Sequence, residues 1–108
     1  MNFQQFKQNN CIVIKISGRM DASNSSEFEN FMDTVLSEHS EDIVIDLEGL
    51  DYISSAGLRS ILITGKNMKT KRQELKLCNL QDDVMEVFEI SGFSSIFNIF
   101  DSIEAAVE

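Results

Sequence analysis

The segment Ile43 to Ile63 constrains the fold more than any other part of the chain. It opens on a short apolar run, Ile43, Val44, Ile45 and Leu47, with the length and β-branched character of a buried strand. A connecting segment follows. A helix then opens at the serine pair Ser54-Ser55 and runs to about Thr70, with Leu58, Ile61, Leu62 and Met68 predicted to face inward. A strand feeding a helix in this way needs a sheet to lie in and a sheet face for the helix to cover. The same unit leaves hydroxyls at a helix N-terminus, beside Asp51 and the small residues Ala56 and Gly57. Such a place suits a phosphate better than a core side chain.

The rest of the chain repeats the alternation. Residues 3–8 read as an edge strand carrying Phe3 and Phe6, and Asn9-Asn10 reads as a hairpin turn. Cys11 to Ser17 places Ile12, Ile14 and Ile16 on one strand face, and Gly18 is predicted to end it. Asp21 and Ser23 stand where a helix cap belongs, and from Ser26 the apolar residues Phe28, Phe31, Met32, Val35 and Leu36 fall at helical spacing to about His39. Ser40-Glu41-Asp42 breaks that helix. After the central unit come a strand over Glu74–Asn79, a helix over Gln81–Ile90 with Val84, Val87 and Phe88 inward, and a stop at Gly92. A short strand over Ile96–Phe100 and a terminal helix capped by Ser102 complete the chain. The order β-β-α-β-α-β-α-β-α implies crossover connections: a single α/β domain over residues 1–108, with a mixed, largely parallel sheet and about four helices.

Composition narrows the function classes. A length of 108 residues suits one domain, and an apolar fraction of 43% is enough for a core. The absence of proline argues against linkers. A net charge of −9 disfavours nucleic acid and anionic membrane as partners, permits a basic protein partner, and predicts a monomer. Cys11 and Cys78 lie in predicted strands without CxxC spacing and read as small buried hydrophobes. No signal-peptide core and no membrane-length apolar run is present, so cytoplasmic residence is the expectation.

The patterns of enzyme chemistry are missing. His39 is the only histidine and lies at a predicted helix end, as a cap or a solvated residue. No Gly-x-Ser-x-Gly elbow surrounds Ser54 or Ser55, the glycines are isolated, and no His/Cys set has zinc spacing. Asp46, Glu48 and Asp51 suggest magnesium only weakly; a solvated strand end is the plainer reading. Lys66, Lys69, Lys71 and Arg72 read as a solvated basic helix end that complements the helix dipole. The serine pair supports two readings that coexist. One of the serines caps the helix, worth about 1 kcal/mol. A phosphoryl group there would add about −1.5 to −2 charges and change an interface without unfolding the domain.

Three stretches together carry a resemblance: Ser17-Gly18-Arg19-Met20-Asp21, the Ile43–Ile63 segment, and Phe88-Glu89-Ile90-Ser91-Gly92-Phe93. The chain resembles, over essentially its whole length, the STAS domain of bacterial anti-sigma factor antagonists. The resemblance implies a non-enzymatic protein without cofactor or metal. Its unphosphorylated form would bind an anti-sigma factor that is also a serine kinase of GHKL type, and so free a sigma factor. Phosphorylation by that kinase would release it, and a PP2C-type phosphatase would reset it. Aligned on Gly57-Leu58, the modified serine of the family motif falls on Ser55; the residue before it, often Asp in the family, is Ser54, a competing acceptor, and the one after it is Ala56. Asp21 matches the acidic residue of the family's Gly-x-x-Asp turn. The implied partner surface comprises Asp21, Asp51, Ser54, Ser55, Ala56, Gly57, Leu58 and Arg59. The same frame also serves as a non-phosphorylated subunit of membrane transport or signalling complexes, in which case the serine pair is only a cap. A small enzyme using Ser55 or the acidic strand end is the remaining alternative.

Overall fold

A computed structural model describes residues 1–108. The strands are β1 (Asn2–Gln8), β2 (Cys11–Met20), β3 (Asp42–Ile53), β4 (Leu75–Cys78) and β5 (Asn98–Phe100). The helices are α1 (Ser25–Glu38), α2 (Ser55–Thr70), α3 (Asp82–Ile90) and α4 (Ile103–Ala106), with a 3-10 turn at Phe93–Ser95. The order matches the alternation in the sequence. One five-stranded sheet runs β1-β2-β3-β4-β5. β1 is antiparallel to β2 across the Asn9-Asn10 turn, where both residues have positive φ; the other neighbours are parallel.

Spatial order equals chain order, and this decides the layering. Right-handed crossovers that always step the same way all pass over the same face of the sheet. Accordingly Phe28, Met32, Val35 and Leu36 of α1, Leu58, Ile61 and Met68 of α2, and Val84 and Phe88 of α3 pack into one core. They meet Ile12, Ile14, Ile16, Ile43, Ile45, Leu47, Leu75 and Leu77 from the sheet. Phe3 joins from β1 by stacking on Phe31, with ring centroids 4.2 Å apart. The opposite face has only α4 to cover it: Ala106 and Val107 close over Cys11, Val13, Val44 and Cys78. Ser102 caps α4 by accepting from the Ala105 amide at 3.1 Å.

Several boundaries differ from the sequence reading, for identifiable reasons. β3 continues past Leu47 to Ile53, because its pairing with β2 slips twice: Lys15 faces Asp46 but Ser17 faces Gly49, and Gly18 faces Leu50 but Arg19 faces Tyr52. Each slip inserts one extra residue into β3, a bulge. Leu47, Leu50 and Ile53 therefore all stay on the core face at a spacing of three, which strict alternation does not recognise as strand. β2 likewise passes through Gly18, whose φ of +105° glycine tolerates, and ends at Met20. Helix α1 starts at Ser25, within a residue of the Ser26 start read from the sequence, but Asn24 rather than Asp21 or Ser23 holds the cap position. β4 is trimmed to Leu75–Cys78, and the 3-10 turn takes the residues before β5. Leu62 and Val87 are half-buried rather than core.

Asp46 corrects a second expectation. It is not part of a solvated strand end but is 2% exposed. Its Oδ1 accepts from the Glu48 amide at 3.0 Å and from Asn79 Nδ2 at 3.1 Å, and Lys15 Nζ stands 3.7 Å from Oδ2. Gln73, also buried, ties two connections together by donating to the carbonyls of His39 at 3.2 Å and Glu41 at 2.7 Å.

The start of α2 lies unusually close to the sheet. A Cβ on Gly57 would stand 2.9 Å from both Ile53 Cγ1 and Met20 Cγ, and 3.1 Å from the Met20 carbonyl oxygen. Gly57→Ala must push the helix off the strand ends, so we expect a loss of about 1–3 kcal/mol, measured by urea denaturation. Burial first, and then the neighbouring Asp46, Glu104 and Glu48, push the Cys78 thiol up to about 12, and burial also raises Cys11. Both thiols are free. Iodoacetamide at neutral pH should therefore leave the folded protein unmodified and alkylate both cysteines once it is unfolded, as read by intact mass.

Candidate functional site

The site forms where the parallel strands β2 and β3 end and α2 begins. The Ser54 amide donates to the Met20 carbonyl at 2.9 Å, pinning the start of the helix to the end of β2. Ser54 has extended backbone angles, and its hydroxyl accepts from the Gly57 amide at 3.2 Å, while its carbonyl accepts from the Leu58 amide at 2.9 Å. Ser54 is thus the helix cap, a role that the sequence left open between the two serines. Ser55 is the first helical residue and is exposed. Its hydroxyl has no hydrogen-bond partner, and the amides of Ser55 and Ala56 donate to no group of the protein. An exposed hydroxyl beside two free amides at the positive end of a helix dipole can hold an anion.

The β2–α1 loop stands against this helix start. Asp21 does not cap α1. Its Oδ1 accepts from the Ser23 amide at 2.9 Å and from the Ser23 hydroxyl, closing a local turn. Those Ser23 hydrogen bonds, helped by Arg19 and the loop backbone, hold the Asp21 carboxyl below the usual carboxylate range. Asn24 fastens the loop from the other side, accepting from the Asp21 amide at 2.9 Å and donating to the Arg19 carbonyl at 2.8 Å. The Arg19 guanidinium lies 4.2 Å from the centre of the Tyr52 ring, joining the bulged ends of β2 and β3. Asp51 and Tyr52 are exposed there.

A surface groove of about 620 Å³ runs alongside Ser55, lined by Ser25 and Glu29 of α1, Ser55, Ala56, Leu58, Arg59, Ser60 and Leu62 of α2, and Ser91 and Phe93 after α3. The fold therefore gathers Ser55, Ala56, Leu58 and Arg59 on one concavity. Asp21, Asp51 and Ser54 lie outside its lining, and Gly57 and Leu58 are buried, so their contribution to the surface is the placement of the helix. Sequence reasoning missed the Glu29–Ser60 pair at the back of the groove, where the Ser60 hydroxyl donates to Glu29 Oε2 at 2.5 Å. It also missed Ser91 and Phe93 as groove residues. No local spacing reveals partners 31 residues apart that meet only because α1 packs on α2. No group of three His, Cys, Asp or Glu side chains comes together that could hold a metal ion.

Residues 3–106 match the family described as the STAS domain. BtrV of Bordetella bronchiseptica, a protein assigned as an anti-sigma factor antagonist, is 39% identical over 98% of this chain and 91% of its own length. Among solved structures, one assigned as an anti-sigma factor antagonist from Thermotoga maritima superposes with a TM-score of 0.87 at 17% identity, covering 96% of this chain and 90% of that one. The anti-sigma factor antagonist SpoIIAA in its unphosphorylated form gives 0.78 at 20% identity, covering 97% and 93%. Its phosphorylated form gives 0.70 at 19%, covering 97% and 96%. At these identities the structural likeness is one of fold. The match over nearly the whole chain, together with the relative at 39% identity, places the protein by descent: the chain belongs to the STAS domain family.

Proposed function

We propose that this protein is an anti-sigma factor antagonist of a partner-switching pathway, with Ser55 as the switch. The observation that carries the reading is the division of labour in the serine pair. Ser54 spends its hydroxyl on the helix cap, whereas Ser55, one residue on, keeps an exposed hydroxyl with no partner. In this reading the unphosphorylated groove face, with Ser55, Ala56 and Arg59, docks onto an anti-sigma factor that is a serine kinase of GHKL type, and a sigma factor is set free. Asp21, Asp51 and Ser54 border that face, and Gly57 and Leu58 set its height.

The chemistry asks little of this chain. The Ser55 Oγ attacks the γ-phosphorus of an ATP held by the kinase, the bond to the bridging oxygen breaks, and ADP leaves. The hydroxyl proton passes to a base on the kinase, which also supplies magnesium. The chain need only present the hydroxyl on a rigid element, which the clamp of Ser54 on Met20 and Gly57 provides. The product phosphate adds about −1.5 to −2 charges to a chain already at −9. The free amides of Ser55 and Ala56 accommodate it without melting the helix, so the change falls on the interface rather than on the fold. A PP2C-type phosphatase then hydrolyses the phosphoserine. No helix of the protein is long and apolar enough to cross a membrane, in keeping with a cytoplasmic regulator.

With wild type, Ser55→Ala and Ser55→Asp as bait in a lysate of the source organism, the first two should retain a GHKL-type kinase and the third should lose it. Equal capture by all three would leave Ser55 as an ordinary helix residue and turn the reading toward a non-phosphorylated subunit of a transport or signalling assembly. Ser54→Ala separates the two serines: it should lower stability by about 1 kcal/mol in urea while the purified kinase still phosphorylates Ser55, as located by mass spectrometry.

A further inference from the structure

A second concavity opens between the C-terminal half of α2 and the starts of β4 and β5, sharing Leu62 with the Ser55 groove and reaching Lys69, about 21 Å along the helix axis from Ser55. Its volume is about 640 Å³, within the range of small-molecule sites. Leu62, Leu75 and Phe97 make its apolar wall, and Lys66, Lys69 and Arg72 stand along its rim. Ile96, also in the lining, is 56% exposed.

Four of the nine cations of the chain are engaged within it. Lys7 pairs with Glu41, Lys15 with Asp46, Arg19 with the Tyr52 ring, and Lys76 with the Ala106 carbonyl. Five have no such partner, and three of them, Lys66, Lys69 and Arg72, gather in this one cleft, the others being Arg59 and Lys71, although the chain carries 18 acidic residues against 9 basic ones. The two carboxylates of the cleft are engaged within the protein: Asp42 accepts from the Glu74 amide at 2.9 Å, and Glu74 accepts from Asn98 Nδ2 at 2.7 Å.

Two lining residues are also poor local choices. Gly65 sits in the middle of α2, where alanine is the better helix former. Packing does not demand the glycine, since a Cβ would lie 3.4 Å from Leu75 Cδ2 and 3.4 Å from Phe97 Cε1, at ordinary contact. The absent methyl leaves space in the cleft. Arg72 holds φ at +60°, where glycine is favoured at a helix end, and its amide and that of Gln73 close the last turn onto the Lys69 and Met68 carbonyls. A glycine where alanine would be more stable, and an arginine where glycine would be, both face the same cavity. Local choices that oppose stability concentrate at functional positions.

We propose that this cleft binds an amphiphilic anion, its apolar body against Leu62, Leu75 and Phe97 and its carboxylate or phosphate head among Lys66, Lys69 and Arg72. The site contains neither serine of the switch, though Leu62 lines both concavities. The test follows the backbone NMR shifts of the full chain during titration with laurate and, separately, dodecyl phosphate, both below their micellar concentrations, with dodecyltrimethylammonium as the cationic control. Saturable shifts centred on Gly65, Lys66, Lys69, Arg72 and Leu75 are expected with the anions alone, and the tighter of the two identifies the head group. Arg72→Gly should raise the Tm yet weaken binding roughly tenfold, by loss of one charge-assisted contact, and Gly65→Ala should raise the Tm and weaken binding several-fold. Opposite movement of stability and affinity is what a merely structural role would not produce. No saturable shift, equal binding of the cationic control, shifts outside the cleft, affinity unchanged in both variants, or response only to a glutamate-rich peptide would each overturn the proposal.

Discussion

The structure depends most on how β3 is held. It is the central strand, hydrogen-bonded to β2 on one edge and β4 on the other, and Ile43, Ile45 and Leu47 are fully buried under the helices. Its first half pairs in simple register, so the core face is fixed there by alternation alone. Its second half carries two bulges, which keep Leu50 and Ile53 in the core while re-aiming the strand end. Ile53 then supports Gly57 of α2, and Met20, paired with Ile53, receives the Ser54 amide. Without the bulges, strict alternation could not keep Leu47, Leu50 and Ile53 on one face, and the helix start would lose its seat.

The same connectivity gives the two ends of one helix, where the proposed switch and the proposed anion cleft lie, different surroundings. Parallel strands with one-sided crossovers place α2 in the middle of the helical layer, with α1 on one side and the 3-10 turn after α3 on the other. Its N-terminus emerges at the C-terminal ends of β2 and β3, where open α/β sheets hold their ligands. Here the dipole is positive and amides are free, with Glu29 and Arg59 lining the groove beside them. Its C-terminus emerges at the other edge, where the dipole is negative and the basic residues gather. The two ends therefore differ in chemistry for a reason built into the backbone, with Leu62 as the wall the two concavities share.

The acidic balance works with this arrangement. A net charge of −9 is spread over exposed helix and loop positions, while the one deeply buried carboxylate, Asp46, is satisfied by Asn79, Lys15 and its own backbone turn. The lysine and two hydrogen bonds offset much of the cost of removing that carboxylate from water. Added negative charge at the start of α2 is thus met locally by the free amides and the helix dipole, with the core untouched. This separation of a rigid interior from a chargeable surface is what a phosphorylation switch on a small domain requires.

Much of this was legible in the sequence. The period-2 runs of β2 and β4, the 3.6-residue period of α1, α2 and α3, and the Ser102 cap identified the elements, because side-chain burial in each repeats at the period of its own backbone. The start of α2 at Ser55 was readable for the same reason. What the sequence did not reveal lies where that periodicity is broken or where partners are distant. Leu47, Leu50 and Ile53 recur every three residues, so the bulged half of β3 read as a connection. Asp46 read as solvated because its partners, Lys15 and Asn79, lie on neighbouring strands or their ends. Two adjacent serines are equivalent in a local pattern, and only the Met20 and Gly57 contacts single out Ser54 as the cap. The sequence by itself determined the elements and their order, because periodicity and capping are local. The tertiary structure alone decided which serine hydroxyl stays free, which acid is buried and which cations face a cleft, because each depends on groups that only the packed sheet and helices bring together.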